Sequence, residues 1–375
     1  MKKKVIAAGH ICLDITPVFD QGKKAANIGD LLKPGQLIHM QEADVHTGGS
    51  VANTGLAMKI LGADVSLMGK IGNDAFGEMV QNILQKYGAG QEMIVVPGEA
   101  TSYSVILAVP GIDRIFLHNP GANDTFSEAD LSKEALKGAD LFHFGYPPLM
   151  RGLYQKDGAE LIKILKSAKE AGAAVSMDMA AVDPDSEAGR ADWSAILKRA
   201  MPYLDFFVPS VEELCFMIDR ERFASWQEKA SGGDVTEYLN WEQDVRPLAD
   251  RCMEWGAKVL LIKCGAPGLY YRTAGQEALD TISRKISLDT AAWSGKEGFE
   301  RSYVPERVLS GTGAGDTSIA AFLTAMLEGL PLEECMHLAA ATGASCVASY
   351  DALSGLQPLD TLREKIRGGW KKQGE

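Results

Sequence analysis

Six short apolar runs punctuate the chain: Val5–Ala8, Val65–Met68, Leu141–Phe144, Ala174–Met177, Phe206–Val208 and Val259–Ile262. Each is too short to be a helix and reads as a buried strand. Helical spacing fills stretches between them. Val51–Leu61 stops at Gly62. Glu160–Ala171 stops at Gly172 and carries Leu161, Ile164, Leu165 and Ala168 on one face. Strands that alternate with helices predict a largely parallel sheet covered on both faces, an α/β class. In such sheets ligands bind beyond the carboxyl ends of the strands.

The 375 residues suffice for one large domain with an appendage, or for two. A formal net charge of −12 argues against a nucleic-acid surface. An anionic ligand held locally by backbone N–H groups stays open. None of the six cysteines forms a C-x-x-C pair, and most sit in apolar runs. Buried, reduced thiols in a cytoplasmic protein are the expectation. The opening "MKKKVIAAGHICLDI" imitates a signal peptide, but His10 and Asp14 interrupt its apolar run too early, so it reads as the first strand. No run approaches the roughly 20 apolar residues of a membrane span.

Two regions break the strand–helix rhythm. Thr101–Asn123 holds two β-rich runs around Pro110–Gly111–Ile112–Asp113, a hairpin signal. Residues 15–44 are turn-rich with short apolar runs. Together they predict a small antiparallel sheet projecting from the main body. Residues 219–250 are polar and helical in flavour, and read as a surface insertion. Internal repeats and low-complexity tracts are lacking.

The stretch "SGTGAGDTS" sets Gly311, Gly313, Ala314 and Gly315 before Asp316, and Ile319, Ala320, Phe322, Leu323, Met326 and Leu327 follow at helical spacing. Unpaired N–H groups and the helix dipole make such a mouth an anion cradle, and glycines let phosphate approach closely. A carboxylate there repels phosphate unless it accepts the proton of a hydroxyl attacking it. Asp316 as base and Asp316 as simple helix cap fit this stretch equally. The P-loop and the G-x-G-x-x-G fingerprint both fail. A second glycine pair, Gly48–Gly49, precedes a helix with Ser50 and Asn53 on its first turn. With Asp14 at the end of the first strand, an acid, an amide and bare backbone suit a polyhydroxylated ligand.

These motifs resemble the ribokinase-like carbohydrate kinase family (the PfkB family) over nearly the whole chain. Thr312–Asp316 match the end of its D-T-x-G-A-G-D signature. Gly48, Gly49 and Asn53 match its amino-terminal one. Gly69, Gly72, Asp74 and Gly77 are similar to its G-x-x-G-x-D-x-x-G. "PGAN" (Pro120–Asn123) and "KCGAPGLYY" (Lys263–Tyr271) also match. The resemblance implies a three-layer sandwich with a small β lid made from parts of 11–45 and 101–118. It implies ATP and Mg²⁺, with Asp316 as base and Gly313, Ala314 and Gly315 as anion hole. Asp14, Gly48, Gly49 and Asn53 would hold the hydroxylated substrate, Lys263, Gly265, Gly268 and Thr312 the nucleotide, and Glu213 the metal through water. It also allows a homodimer through the lid.

Three departures qualify the match. Ser310 and Gly311 replace the acid and threonine that open the signature, which puts activation by a monovalent cation in doubt. Ser210 replaces the asparagine of N-x-x-E. Ser50 follows the glycine pair, as in some nucleoside kinases of the family. The rivals to a sugar kinase are therefore a nucleoside kinase and a catalytically silent sugar-binding homologue. His10, His118 and His143 lack metal-ligand spacing and read as structural or lid residues. Asp178 and Asp183 read as loop acids facing solvent, with an approach to phosphates as the alternative. The scattered tryptophans suggest no stacking platform.

Overall fold

The computed structural model of the protein describes residues 2–19, 28–109 and 115–375. Its main sheet has eight strands among the described residues. From edge to edge they are β14 (Glu297–Arg301), β13 (Gly268–Thr273), β12 (Val259–Lys263), β11 (Phe206–Phe207), β10 (Ala174–Asp178), β9 (Leu141–Gly145), β1 (Lys4–Gly9) and β4 (Asp64–Met68). The six from β12 to β4 run parallel, and β13 and β14 add an antiparallel edge. All six apolar runs read from the sequence are strands of this sheet.

Their continuous apolarity follows from burial on both faces. Val5, Ala7, Leu141, Ala174, Phe206 and Leu261 face one core, shared with the Ser50–Ile60, Ala314–Leu327 and Leu332–Cys346 helices. Ile6, Ala8, Phe142, Val175, Phe207 and Leu260 face the other, shared with the Arg151–Glu170, Trp193–Ala200 and Val211–Ile218 helices. The Arg151–Glu170 helix is broken near its start: Gln155 is extended, and Lys156, Asp157 and Gly158 have positive φ. Regular helix resumes where the periodic pattern from Glu160 predicts it.

A separate four-stranded sheet has the order β3 (Asp44–Gly48), β2 (Cys12–Thr16), β7 (Tyr103–Leu107), β8 (Ile115–Asn119). It is mixed rather than wholly antiparallel, because β2 and β7 run parallel, with Leu13 opposite Tyr103. The turn read at Pro110–Asp113 lies outside the described residues. β5 (Lys70–Gly72) and β6 (Ile94–Val96) form a short parallel pair beside it.

The glycine motif at 69–77 ties this small sheet to the body. Asp74 accepts from the Gly77 N–H (2.8 Å), the Thr101 N–H (2.8 Å) and the Thr101 hydroxyl (2.6 Å). Asn123 of "PGAN" donates to the Ile11 carbonyl (2.9 Å) and accepts from the Ile11 N–H (3.2 Å), fixing the passage from β1 to β2. Residues 219–250 are largely helical, and they bury Trp226, Val235, Val245 and Leu248 in the second core.

Candidate active site

The strands deliver their functional groups at their carboxyl ends, where open parallel sheets bind ligands. β1 ends at Gly9–His10, β9 at Gly145–Tyr146, β10 at Asp178 and β12 at Lys263. Over them sits the mouth of the Ala314–Leu327 helix. Its N-cap, Gly313, has φ 72°, and a Cβ there would strike Ala352, so only glycine fits both the conformation and the space. Gly315 lies against the Lys263 side chain, with a built Cβ 3.2 Å from its Cδ. The bare turn and the lysine thus lie side by side.

Asp316 does not cap this helix, whose N-cap has no side-chain hydrogen bond. Its carboxylate turns across the cleft. Oδ1 accepts from the Tyr146 hydroxyl (2.7 Å) and the Thr54 hydroxyl (3.1 Å), and Oδ2 from the Asn53 amide (3.2 Å). Burial raises its pKa, against the pull of Lys263 and these three donors. A carboxyl raised toward neutrality is a better proton acceptor at working pH than a free one.

Below it, both oxygens of Asp178 contact the Lys263 ammonium at 2.8 and 2.9 Å. Asp178 is fully buried, so the expectation of a solvent-facing loop acid is corrected: it is the last residue of β10, not a loop residue. Asp183 is exposed and accepts from the Asp185 N–H. Burial pushes Asp178 up while Lys263 holds it down. Lys263 overcomes its own burial through Asp178, Glu213 and Asp316 and stays a firm cation. Glu213 is half-buried and accepts from the Ser210 N–H (2.9 Å) in a capping box, a pairing that serine supports in place of asparagine.

In the small sheet, Asp14 is 8% exposed and accepts from the Cys12 thiol (3.2 Å). A Cβ on Gly48 would collide with this carboxylate, and one on Gly49, at φ 82°, with His10. Burial raises the Asp14 pKa. A row of polar groups leads from the lid toward Asp316. Ser104 Oγ lies 3.1 Å from His118 Nδ1, and His118 Nε2 lies 3.4 Å from His10 Nε2. The His10 and Tyr146 rings are 6.2 Å apart. Burial lowers the pKa of both histidines, so the pair is neutral at neutral pH. Ser50 faces away from this row: it is fully buried, with its hydroxyl 3.4 Å from His143.

The loop that the resemblance assigns to the nucleotide follows β12. Gly265, at φ 64°, packs on Thr236 of the 219–250 segment, and Gly268 sits against the Glu300 carbonyl. Thr312 donates its N–H to Ser310 Oγ (3.1 Å) and accepts from the Ser310 hydroxyl (2.9 Å). The fold therefore gathers Asp316, Gly313, Ala314, Gly315, Lys263 and Asn53 at one end. It sets Asp14 and Gly48 in the small sheet with Gly49 next to them, and Thr312, Gly265 and Gly268 beyond the glycine turn.

Sequence reasoning missed Thr54 and Tyr146, both in direct contact with Asp316. The signal for Tyr146 was its place between Gly145 and two prolines, just past a predicted strand.

A pfkB family carbohydrate kinase profile matches residues 3–358. The chain is 24% identical over 302 residues to an uncharacterized sugar kinase of Archaeoglobus fulgidus, covering 80% of this chain and 98% of that one. It is 24% identical over 377 residues to fructokinase-2 of Oryza sativa, covering 96% and 93%. The structure of Arabidopsis thaliana ribokinase complexed with ribose and ATP superimposes with a TM-score of 0.71 at 20% identity, covering 98% and 99%. With the parallel sheet, the small second sheet and the glycine-lined helix mouth in place, the chain belongs to the pfkB family of carbohydrate kinases.

Proposed function

We propose that the protein transfers the γ-phosphate of ATP to a hydroxymethyl group of a neutral sugar, with Asp316 as the base. The carrying observation is the direction of the Asp316 carboxylate. It leaves its own helix mouth and enters a cleft between a bare anion turn and a polar lid. The sugar hydroxyl gives its proton to Asp316 as its oxygen attacks the γ-phosphorus and ADP departs. The N–H groups of Gly313–Gly315 and the Lys263 ammonium stabilise the charge on the transferring group. Lys263 exchanges Asp178 for phosphate oxygens as it does so.

Mg²⁺, when bound, neutralises the nucleotide phosphates. Glu213 suits it, since Mg²⁺ keeps most of its waters and needs only one or two carboxylates. Among the described residues no group of three or more side chains would grip a metal alone, which suits a cation carried by the nucleotide.

Asp14, Asn53, Ser104 and two neutral histidines favour hydroxyls over a carboxylate or phosphate on the substrate. Ser50, the residue that kept a nucleoside in view, is turned inward and does not read the ligand. ATP consumption with Mg²⁺ should be measured on furanoses, ketohexoses, 2-keto-3-deoxy acids and nucleosides. One neutral sugar class should be turned over. Turnover of nucleosides alone would overturn the substrate reading. No turnover, with one compound raising the melting temperature, would leave a sugar-binding protein.

A further inference from the structure

Tyr146 has φ 66° and ψ 42°, a left-handed conformation that a bulky side chain rarely adopts. It also precedes Pro147, a position that favours extended backbone. Its N–H reaches the Asp178 carbonyl at 3.3 Å, and its carbonyl accepts from the Leu149 N–H at 3.0 Å. Pro147 and Pro148 behind it are buried. Backbone strain held this firmly at a strand end points to a function for the side chain.

That side chain reaches Asp316 with the shortest of the three hydrogen bonds the carboxylate accepts. An ionised carboxylate oxygen offers about two acceptor sites. Thr54 and Tyr146 fill both on Oδ1. Thr54 is wholly buried on a core helix and cannot leave. Tyr146 is half-buried, comes from a turn, and lies between Asp316 and the His10 end of the polar row.

We infer that Tyr146 gates the base. This rests on the reading of Asp316 given above. In the sugar-free enzyme the phenol holds the Oδ1 site on the Tyr146 side of the carboxylate, and the sugar's hydroxymethyl displaces it. Without that occupant, water donates to Asp316, its oxygen attacks the γ-phosphorus, and ATP is hydrolysed to ADP and phosphate. The phenol thereby couples use of ATP to the presence of sugar. Tyr146 is a positioning residue: it acts on the base, and the base acts on the substrate.

The test is Tyr146→Phe, with ADP release measured with and without the sugar found in the panel. The ratio of sugar-free hydrolysis to transfer should rise by about tenfold or more, a fraction of what a positioned base contributes. Loss of the phenol's hydrogen bond, which lowers the Asp316 pKa, should also move the acid limb of the kcat/KM profile to higher pH. Tyr146→Gly accepts left-handed backbone freely and lacks the phenol, so it should reproduce the rise if the Phe variant folds poorly. An unchanged ratio in both variants overturns the gate. Asp316→Asn in the Tyr146→Phe background separates the two ideas. It should abolish the new hydrolysis. If instead Asp316→Asn alone leaves transfer intact, the base reading fails.

Discussion

The helix mouth and the lid handle their polar groups in opposite ways. At the mouth, the charges are tied: Asp316 to three donors, Asp178 to Lys263 through both oxygens, Glu213 to its own helix start. Asp178 and Lys263 hang from strand ends, and Asp316 and Glu213 from the first turns of helices, all packed against the two cores. At the lid, Asp14 accepts from the Cys12 thiol, the histidines are neutral, and β8 exposes Phe116 and Leu117 at its outer edge. Preorganised electrostatics belong where charge develops in the transition state. Looser neutral donors and acceptors belong where a ligand must enter and be recognised. Rate and selectivity should therefore separate by region.

The strongest challenge to that division is Asp316→Asn. The amide keeps the shape and should still fold, because Asn53 and Thr54 remain. Turnover should fall by about 100-fold or more, the reach of a lost general base, while the sugar KM moves little. Steady-state kinetics with a melting curve would show it, and near-normal turnover would refute the division at its centre.

Asp14→Ala probes the other side. The sugar KM should rise by about tenfold or more, as expected when hydroxyls lose a charged partner, with the KM for ATP nearly constant. A fall in kcat of the same size, with KM unchanged, would place Asp14 with the chemistry instead of the recognition.

The smallest effect concerns acid. His10 and His118 have folded pKa values below the ordinary 6.5, so the unfolded chain takes up protons first as pH falls. Their contribution to stability is complete above about pH 6.5 and is lost as pH falls through their folded values. Asp14 and Asp316, raised in the fold, contribute oppositely: their part is present at low pH and lost as pH rises through their folded values. Between pH 7 and 5 the melting temperature of the wild type should drop by about 2 °C or more beyond that of His10→Gln, a shift worth about 1 kcal/mol. Equal drops would show that the pair does not sense acid.

Much of the fold was legible because the signals are local. Runs such as Val259–Ile262 are apolar on both faces, which only a covered parallel sheet explains. The glycine turns before Asp316 and Asn53 were legible as helix starts for the same reason, since each lies within a few residues of the helix it opens. Tyr146 and Thr54 were not, because their meaning arises only when residues 54, 146 and 316 meet across the sheet. Asp178 was misread because a carboxylate's burial depends on Lys263, far along the chain. The 219–250 segment looked like a surface feature because its exposed polar residues outnumber those it buries, and average composition hides them.

The parallel pairing of Leu13 with Tyr103 in the small sheet has a kinetic meaning. A parallel ladder between segments so distant in sequence cannot close as a local hairpin. Its loop-closure cost must be met before its hydrogen bonds form. The intervening chain includes β4 at the edge of the main sheet, and Asn123 and Asp74 join the small sheet to that body. The small sheet should therefore assemble after the body beneath it. In native-state hydrogen exchange its amides should open at lower free energy than those of β1 or β10. Recognition of the sugar would then reside in the least cooperative part of the fold, where an ordering ligand gains the most.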